Sequence, residues 1–125
     1  MKEYIDYLIK SKFQYLATIG LDHKPKLRPF QFMFEHDGKL WFCTSNQKEV
    51  YRELQQNSSI ELCASQEDMS WLRISAEVVF ENHMEVKEKI LEHSPLVKRI
   101  YREATNPNLE VFFLDKLSAT ISRIS

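Results

Sequence analysis

Residues 27–51, LRPFQFMFEHDGKLWFCTSNQKEVY, read as strand, tight turn, strand and helix start. Alternation places Arg28, Phe30, Phe32 and Phe34 on one face of the first strand, with Pro29, Gln31 and Met33 on the other. His36-Asp37-Gly38 is turn chemistry, because Gly38 can take the positive φ that a short hairpin needs. Residues 40–43 form a second apolar strand that stops at Thr44-Ser45-Asn46. Asn46 followed by Glu49 predicts a helix N-cap and its box partner, with Gln47, Lys48 and Glu49 as the first helical turn. Such a start carries unpaired N–H groups and partial positive charge, which suits a phosphate. Thr44 and Ser45 add hydroxyls there, and Lys48 adds a full charge. A plainer reading of the same residues has Glu49 satisfying the helix end and Lys48 simply solvated. Spacing alone leaves both open.

Outward from that stretch, the 125-residue length predicts a single domain over residues 1–125, and 43% hydrophobic content supplies a core. Net charge is −1 with dispersed Lys and Arg, so no basic stripe points to nucleic acid. The N-terminal run MKEYIDYLIKSK carries charges inside its apolar pattern, which argues against a signal peptide or membrane span, and the cysteine usage that follows leads to the expectation of a cytoplasmic protein. Cys43 and Cys63 lie in strand-like segments without a CxxC and read as reduced, buried residues. The four histidines, His23, His36, His83 and His93, are not clustered as a zinc site requires, so no metal is expected. With two glycines in the chain, a Gly-rich phosphate loop is excluded. No triad or nucleophile-elbow spacing appears either.

Taken in order, residues 4–9 have helical spacing and residues 13–19 alternate with period two. A helix is expected over residues 47–56 and a strand over 59–64. Residues 71–80 form the clearest alternating strand, with Leu72, Ile74, Ala76, Val78 and Phe80 opposite Trp71, Arg73, Ser75 and Glu77. Asn82 with Glu85 suggests a second capping box. Pro95 after Ser94 suits the first position of a further helix. Residues 109–114 and 117–124 read as a closing hairpin around Asp115-Lys116. Seven strands, mostly hairpin-connected, favour a mainly β fold: a small antiparallel barrel with peripheral helices.

With these segments placed, the sequence resembles the pyridoxamine 5′-phosphate oxidase-like FMN-binding split-barrel family, in particular its short members. The likeness rests on YLATIG at 15–20, Arg28-Pro29-Phe30 with Phe32 and Phe34, and the hairpin DGKLWF at 37–42. Thr44-Ser45 followed by Lys48, then WLRIS at 71–75 and EVFFLDKLSATI at 110–121, complete it. The resemblance implies an antiparallel split β-barrel, FMN as cofactor, and a homodimer with the flavin between protomers. It places Arg28, Pro29 and Phe30 along the flavin, Thr44, Ser45 and Lys48 at its phosphate, and Trp71 and Arg73 near a ring system of either subunit.

Departures narrow the expected activity. Met33 stands where fuller oxidases carry a cation, and Lys48 is followed by Glu49 rather than by a second cation. With the strand pattern running out at the closing hairpin, the substrate-binding C-terminal segment of the true oxidase is not expected. The resemblance therefore implies an FMN-dependent oxidoreductase acting on a small-molecule acceptor, not a pyridoxamine phosphate oxidase, with catalytic residues unassigned. The alternatives are a non-catalytic flavin- or haem-binding module and a deazaflavin-dependent, nitroimidazole-reductase-like relative.

Overall fold

A computed structural model describes residues 1–124. Four helices, α1 (Lys2–Lys10), α2 (Glu49–Gln56), α3 (Met84–His93) and α4 (Pro95–Tyr101), accompany seven strands. The strands are β1 (Gln14–Ile19), β2 (Pro25–Phe30), β3 (Phe34–His36), β4 (Lys39–Ser45), β5 (Ser59–Ser65), β6 (Trp71–Phe80) and β7 (Leu109–Ser122). Every ladder is antiparallel, in the order β2-β1-β5-β6-β7-β4-β3. The expected mainly β architecture is present, but the ladder is not closed: β2 and β3 are its two ends.

That opening comes from a break in the expected strand over 27–34. Ladder pairing stops at Phe30, and the next amides go to separate partners. Phe32 N donates to the Gln14 side chain at 2.7 Å, and Met33 N donates to Trp41 O at 3.1 Å. Phe32 enters a cluster with Leu16, Leu40 and Phe42, whereas Met33 and Phe34 join another with Trp41, Val86 and Ile90. The aromatic side chains are thus divided between two cores, which a straight period-two strand could not achieve. Pro25 and Pro29 sit on β2, an end strand where a missing N–H is tolerated. Asp37 and Gly38 both have positive φ, 53° and 74°, as the tight turn between β3 and β4 requires.

The closing hairpin expected over 109–124 is a single fourteen-residue strand. Residues 109–113 pair with β4 on one side, while 112–122 follow β6 on the other. Asp115-Lys116 bends this strand without reversing it. Lys116 takes φ 51°, opposite a register shift between Ser75 and Glu77 on β6. β6 alternates as its sequence indicates: Leu72, Ile74, Ala76 and Val78 are buried. The two cores lie on opposite faces of β4 and β7. Phe42 and Phe112 stack at 5.5 Å in one, and Trp41 meets Phe113 edge-on at 5.2 Å in the other.

Both expected capping boxes are replaced. Asn46 turns its amide to Pro107 O and Glu110 Oε2, at 2.8 and 2.9 Å, so no side chain caps α2, which begins after Lys48. At α3 the cap is His83, whose Nδ1 accepts from Val86 N, while Asn82 Oδ1 accepts from Lys87 Nζ. Ser94 caps α4 with Pro95 in its first turn, as the sequence suggests. No helix among the described residues is long and apolar enough to cross a membrane.

Candidate functional site

Where the sheet splits, a groove of about 400 Å³ runs between the end of β2, the end of β4, the start of α2 and one side of α4. Of the residues singled out from sequence, Arg28, Pro29, Phe30, Thr44 and Lys48 line it. Ser45 follows Thr44 at the end of β4, and its Oγ accepts from Gln47 N at 3.1 Å. Trp71 and Arg73 are not brought to this groove by their own chain. They lie on the far face of β6, where Arg73 meets Glu61 at 3.6 Å with both side chains largely in solvent. Their row runs from Arg73 across Cys63 and Tyr15 to Pro29, three ladder steps and roughly 14 Å from β6 to β2.

At the α2 end of the groove, Thr44 is buried, yet its Oγ1 has no hydrogen-bond partner among the described residues. A buried hydroxyl without a partner is costly and marks a place for a missing acceptor or donor. Beside it, α2 starts with no side-chain cap: Tyr51 N donates to Lys48 O at 3.2 Å, and the Glu49 and Val50 amides are left open among the described residues. Lys48 is exposed there and forms no ion pair among the described residues. Hydroxyl, open amides and ammonium are each groups of the kind that suit an anion.

Arg28 is less free. Its Nη1 donates to Thr18 Oγ1 at 2.7 Å and to Leu16 O at 3.2 Å, and its Nη2 donates to Glu53 Oε1 at 2.8 Å. Thr18 Oγ1 donates to the same Glu53 oxygen at 2.7 Å. Glu53 is 1% exposed and the Arg28 side chain 25%, so the pair joins α2 to the inner face of β1 and β2.

Among the groove residues not singled out from sequence, Leu96, Val97, Ile100 and Tyr101 form the α4 wall. Their i, i+4 spacing marks two faces of α4, with Val97 and Tyr101 buried and Leu96 and Ile100 exposed. Nothing in that spacing says that α4 folds back beside residue 44. Tyr101 lies near Ser45 and Cys43: burial pushes its phenol above the usual range, Cys43 adds to the rise and the Ser45 hydroxyl opposes it. Burial likewise pushes the Cys43 thiol up to about 12, against a smaller lowering by Lys48. Both groups are proton-bearing at neutral pH and neither is an acid or base poised for turnover.

Cys43 should therefore resist alkylation. At pH 8, iodoacetamide is expected to modify Cys63 at least tenfold faster than Cys43, read by peptide mass spectrometry. Comparable rates would show that the Cys43 thiol is accessible and ionised. The sign for stability is set by the raised folded value: the Cys43 contribution is full below the ordinary thiol range and is lost as pH rises toward 12.

Two other depressions, of about 610 and 480 Å³, flank α1, but their walls mix lysines with carboxylates. No group of His, Cys, Asp and Glu among the described residues has the proximity needed for a metal.

Comparisons with known proteins bear on the family and the fold. The family model described as pyridoxamine 5′-phosphate oxidase matches residues 1–119. A NimC/NimA family protein from Clostridium acetobutylicum is 30% identical, with a TM-score of 0.91, covering 100% of this chain and 86% of that one. General stress protein 26 from Bacillus anthracis shares the fold at 19% identity and a TM-score of 0.76, covering 98% of each chain. An F420 reductase shares it at 15% identity and a TM-score of 0.68, covering 94% of each. No curated protein matches the sequence. From the family match over nearly its whole length, and from a relative aligned along all of it, the chain belongs to the pyridoxamine 5′-phosphate oxidase family.

Proposed function

We propose that the groove binds FMN and that the protein is a homodimeric, FMN-dependent oxidoreductase acting on a small-molecule acceptor. The observation that carries this reading is the buried, unpartnered Thr44 hydroxyl beside Lys48 and the uncapped start of α2. Those donors suit a phosphate, and the apolar walls from Pro29, Phe30, Met33 and α4 suit a flat ring. When bound, the flavin supplies the electron-transfer chemistry. The chain's residues bind, orient and exclude water, since Tyr101 and Cys43 hold their protons at neutral pH.

A homodimer is supported by the sheet face opposite the core. Tyr15 and Leu27 are exposed there at 41% and 69%, alongside exposed Pro29 and half-buried Trp71. A second copy covering that face would remove this apolar surface from water and carry Trp71 and Arg73 toward a partner's groove.

The direct test is titration of the purified protein with FMN, followed by flavin fluorescence, together with light scattering. Saturation at one FMN per chain in a dimer, with the bound flavin bleached by reduced nicotinamide, is the expected result. Saturable binding without bleaching by any nicotinamide would indicate a binding module. A monomer that ignores FMN at 100 μM would end the proposal, since half-saturation there needs only about 5.5 kcal/mol.

A further inference from the structure

Arg28 is the second cation of the groove, yet most of its hydrogen-bonding capacity is already spent inside the protein. Of five guanidinium N–H groups, Thr18, Leu16 and Glu53 engage three, leaving Nε–H and one Nη2 N–H for a ligand. The arrangement has an order in depth. Glu53 is 1% exposed and Arg28 25%, so the carboxylate lies behind the guanidinium as seen from the opening. A ligand phosphate would meet Arg28 with a carboxylate already bound to it.

We propose that Glu53 is a built-in competitor for the ligand's phosphate, holding Arg28 and setting how tightly the groove takes an anion. This rests on the reading of the groove as a phosphate site and names the residue that limits it. Three observations converge. Glu53 Oε1 accepts from both Arg28 and Thr18, so the guanidinium charge already has a counter-charge without any ligand. Glu53 sits on α2, whose uncapped first turn borders the groove, so a single rigid helix carries the attracting and the opposing groups. Lys48 is the other cation lining the groove, and no Asp or Glu lines it, so the carboxylate acts from behind the wall. The balance keeps the site weakly cationic, one net charge from Lys48 instead of two. Such a site releases an anionic ligand more readily than the same groove with Arg28 unpaired.

Replacing Glu53 by Gln retains an acceptor oxygen for Arg28 and Thr18 while deleting the charge. Two charges within about 10 Å at an effective dielectric near 20 change a binding constant roughly tenfold. The experiment titrates wild type and Glu53→Gln with FMN and with riboflavin, which lacks the phosphate, at two salt concentrations. The expected result is a rise of about tenfold in FMN affinity with riboflavin unchanged, and a steeper loss of FMN affinity with salt. Glu53 as a purely structural residue predicts instead that both ligands shift together, or that FMN weakens; either outcome overturns the proposal. Thr18→Val provides a second probe, since it removes one leg of the clamp without touching a charge. It should loosen Arg28 and move FMN affinity up by a smaller factor, again sparing riboflavin. The failures are separable. If wild type prefers FMN to riboflavin and Glu53→Gln does not increase that preference, the competitor role is wrong and the phosphate site stands. If wild type shows no preference but Glu53→Gln does, Glu53 masks Arg28 and the native groove is not an FMN site. If neither prefers FMN, both readings fall.

Discussion

Lys48→Glu is expected to weaken FMN binding about 100-fold, with riboflavin affinity and folding nearly unchanged. A charge-assisted hydrogen bond contributes about 1.5–3 kcal/mol, and reversing the charge adds repulsion to that loss. Lys48 is the place for so large an effect because it is exposed, pairs with no carboxylate among the described residues, and borders the uncapped start of α2. Stability has little to lose, since an acidic residue at a helix N-terminus is mildly favourable, by about 0.3–1 kcal/mol. Fluorescence titration with the two flavins, beside a thermal melt, measures both halves of the claim. Equal FMN affinity in wild type and variant would place the phosphate elsewhere.

Arg28→Ala has its large effect on stability. Glu53, 1% exposed, loses its guanidinium partner and keeps only the Thr18 hydroxyl. Breaking a buried ion pair from one side costs about 3–5 kcal/mol, because the remaining charge stays desolvated. That is a large share of the stability of a small domain, about 5–15 kcal/mol in total. The double variant Arg28→Met/Glu53→Leu should recover most of the loss, since apolar residues of similar volume replace such pairs at little net cost. Urea unfolding of wild type, single and double variants reads this directly. A single variant within about 1 kcal/mol of wild type would mean that water or a neighbour compensates Glu53. The contrast with Lys48 separates two cations of one groove: one is expected to be felt in ligand binding, the other chiefly in folding.

Local sequence was a good guide wherever neighbouring residues decide the outcome. The alternation of 71–80 gives β6, Asp37-Gly38 gives the turn, and Ser94-Pro95 opens α4. It failed where a distant partner outbid a local one. Asn46 looked like a cap for its own helix, but its amide is taken by Pro107 and Glu110, 61 and 64 positions away. Asp115-Lys116 looked like a reversal, yet β6 pairs with the chain on both sides of it, and a bulge at Lys116 absorbs the bend. The site divides in the same way. Arg28, Pro29, Phe30, Thr44 and Lys48 share one groove, and all belong to the central stretch whose pattern is local. The α4 wall and the Glu53 clamp depend on tertiary placement, 25 residues separating Arg28 from Glu53. Trp71 and Arg73 share a face with Cys63 and Tyr15, away from the groove of their own chain.

The unbroken run of β7 has a consequence for how the groove comes into being. Its first half is sewn to β4, which carries Thr44 near its end, and its residues Leu109, Val111 and Phe113 underlie the core on which α4 rests. The threonine side and the helix side of the groove are thus fastened by the last segment of the fold to be synthesised. A chain lacking this strand would therefore lose both banks of the groove together, not one of them.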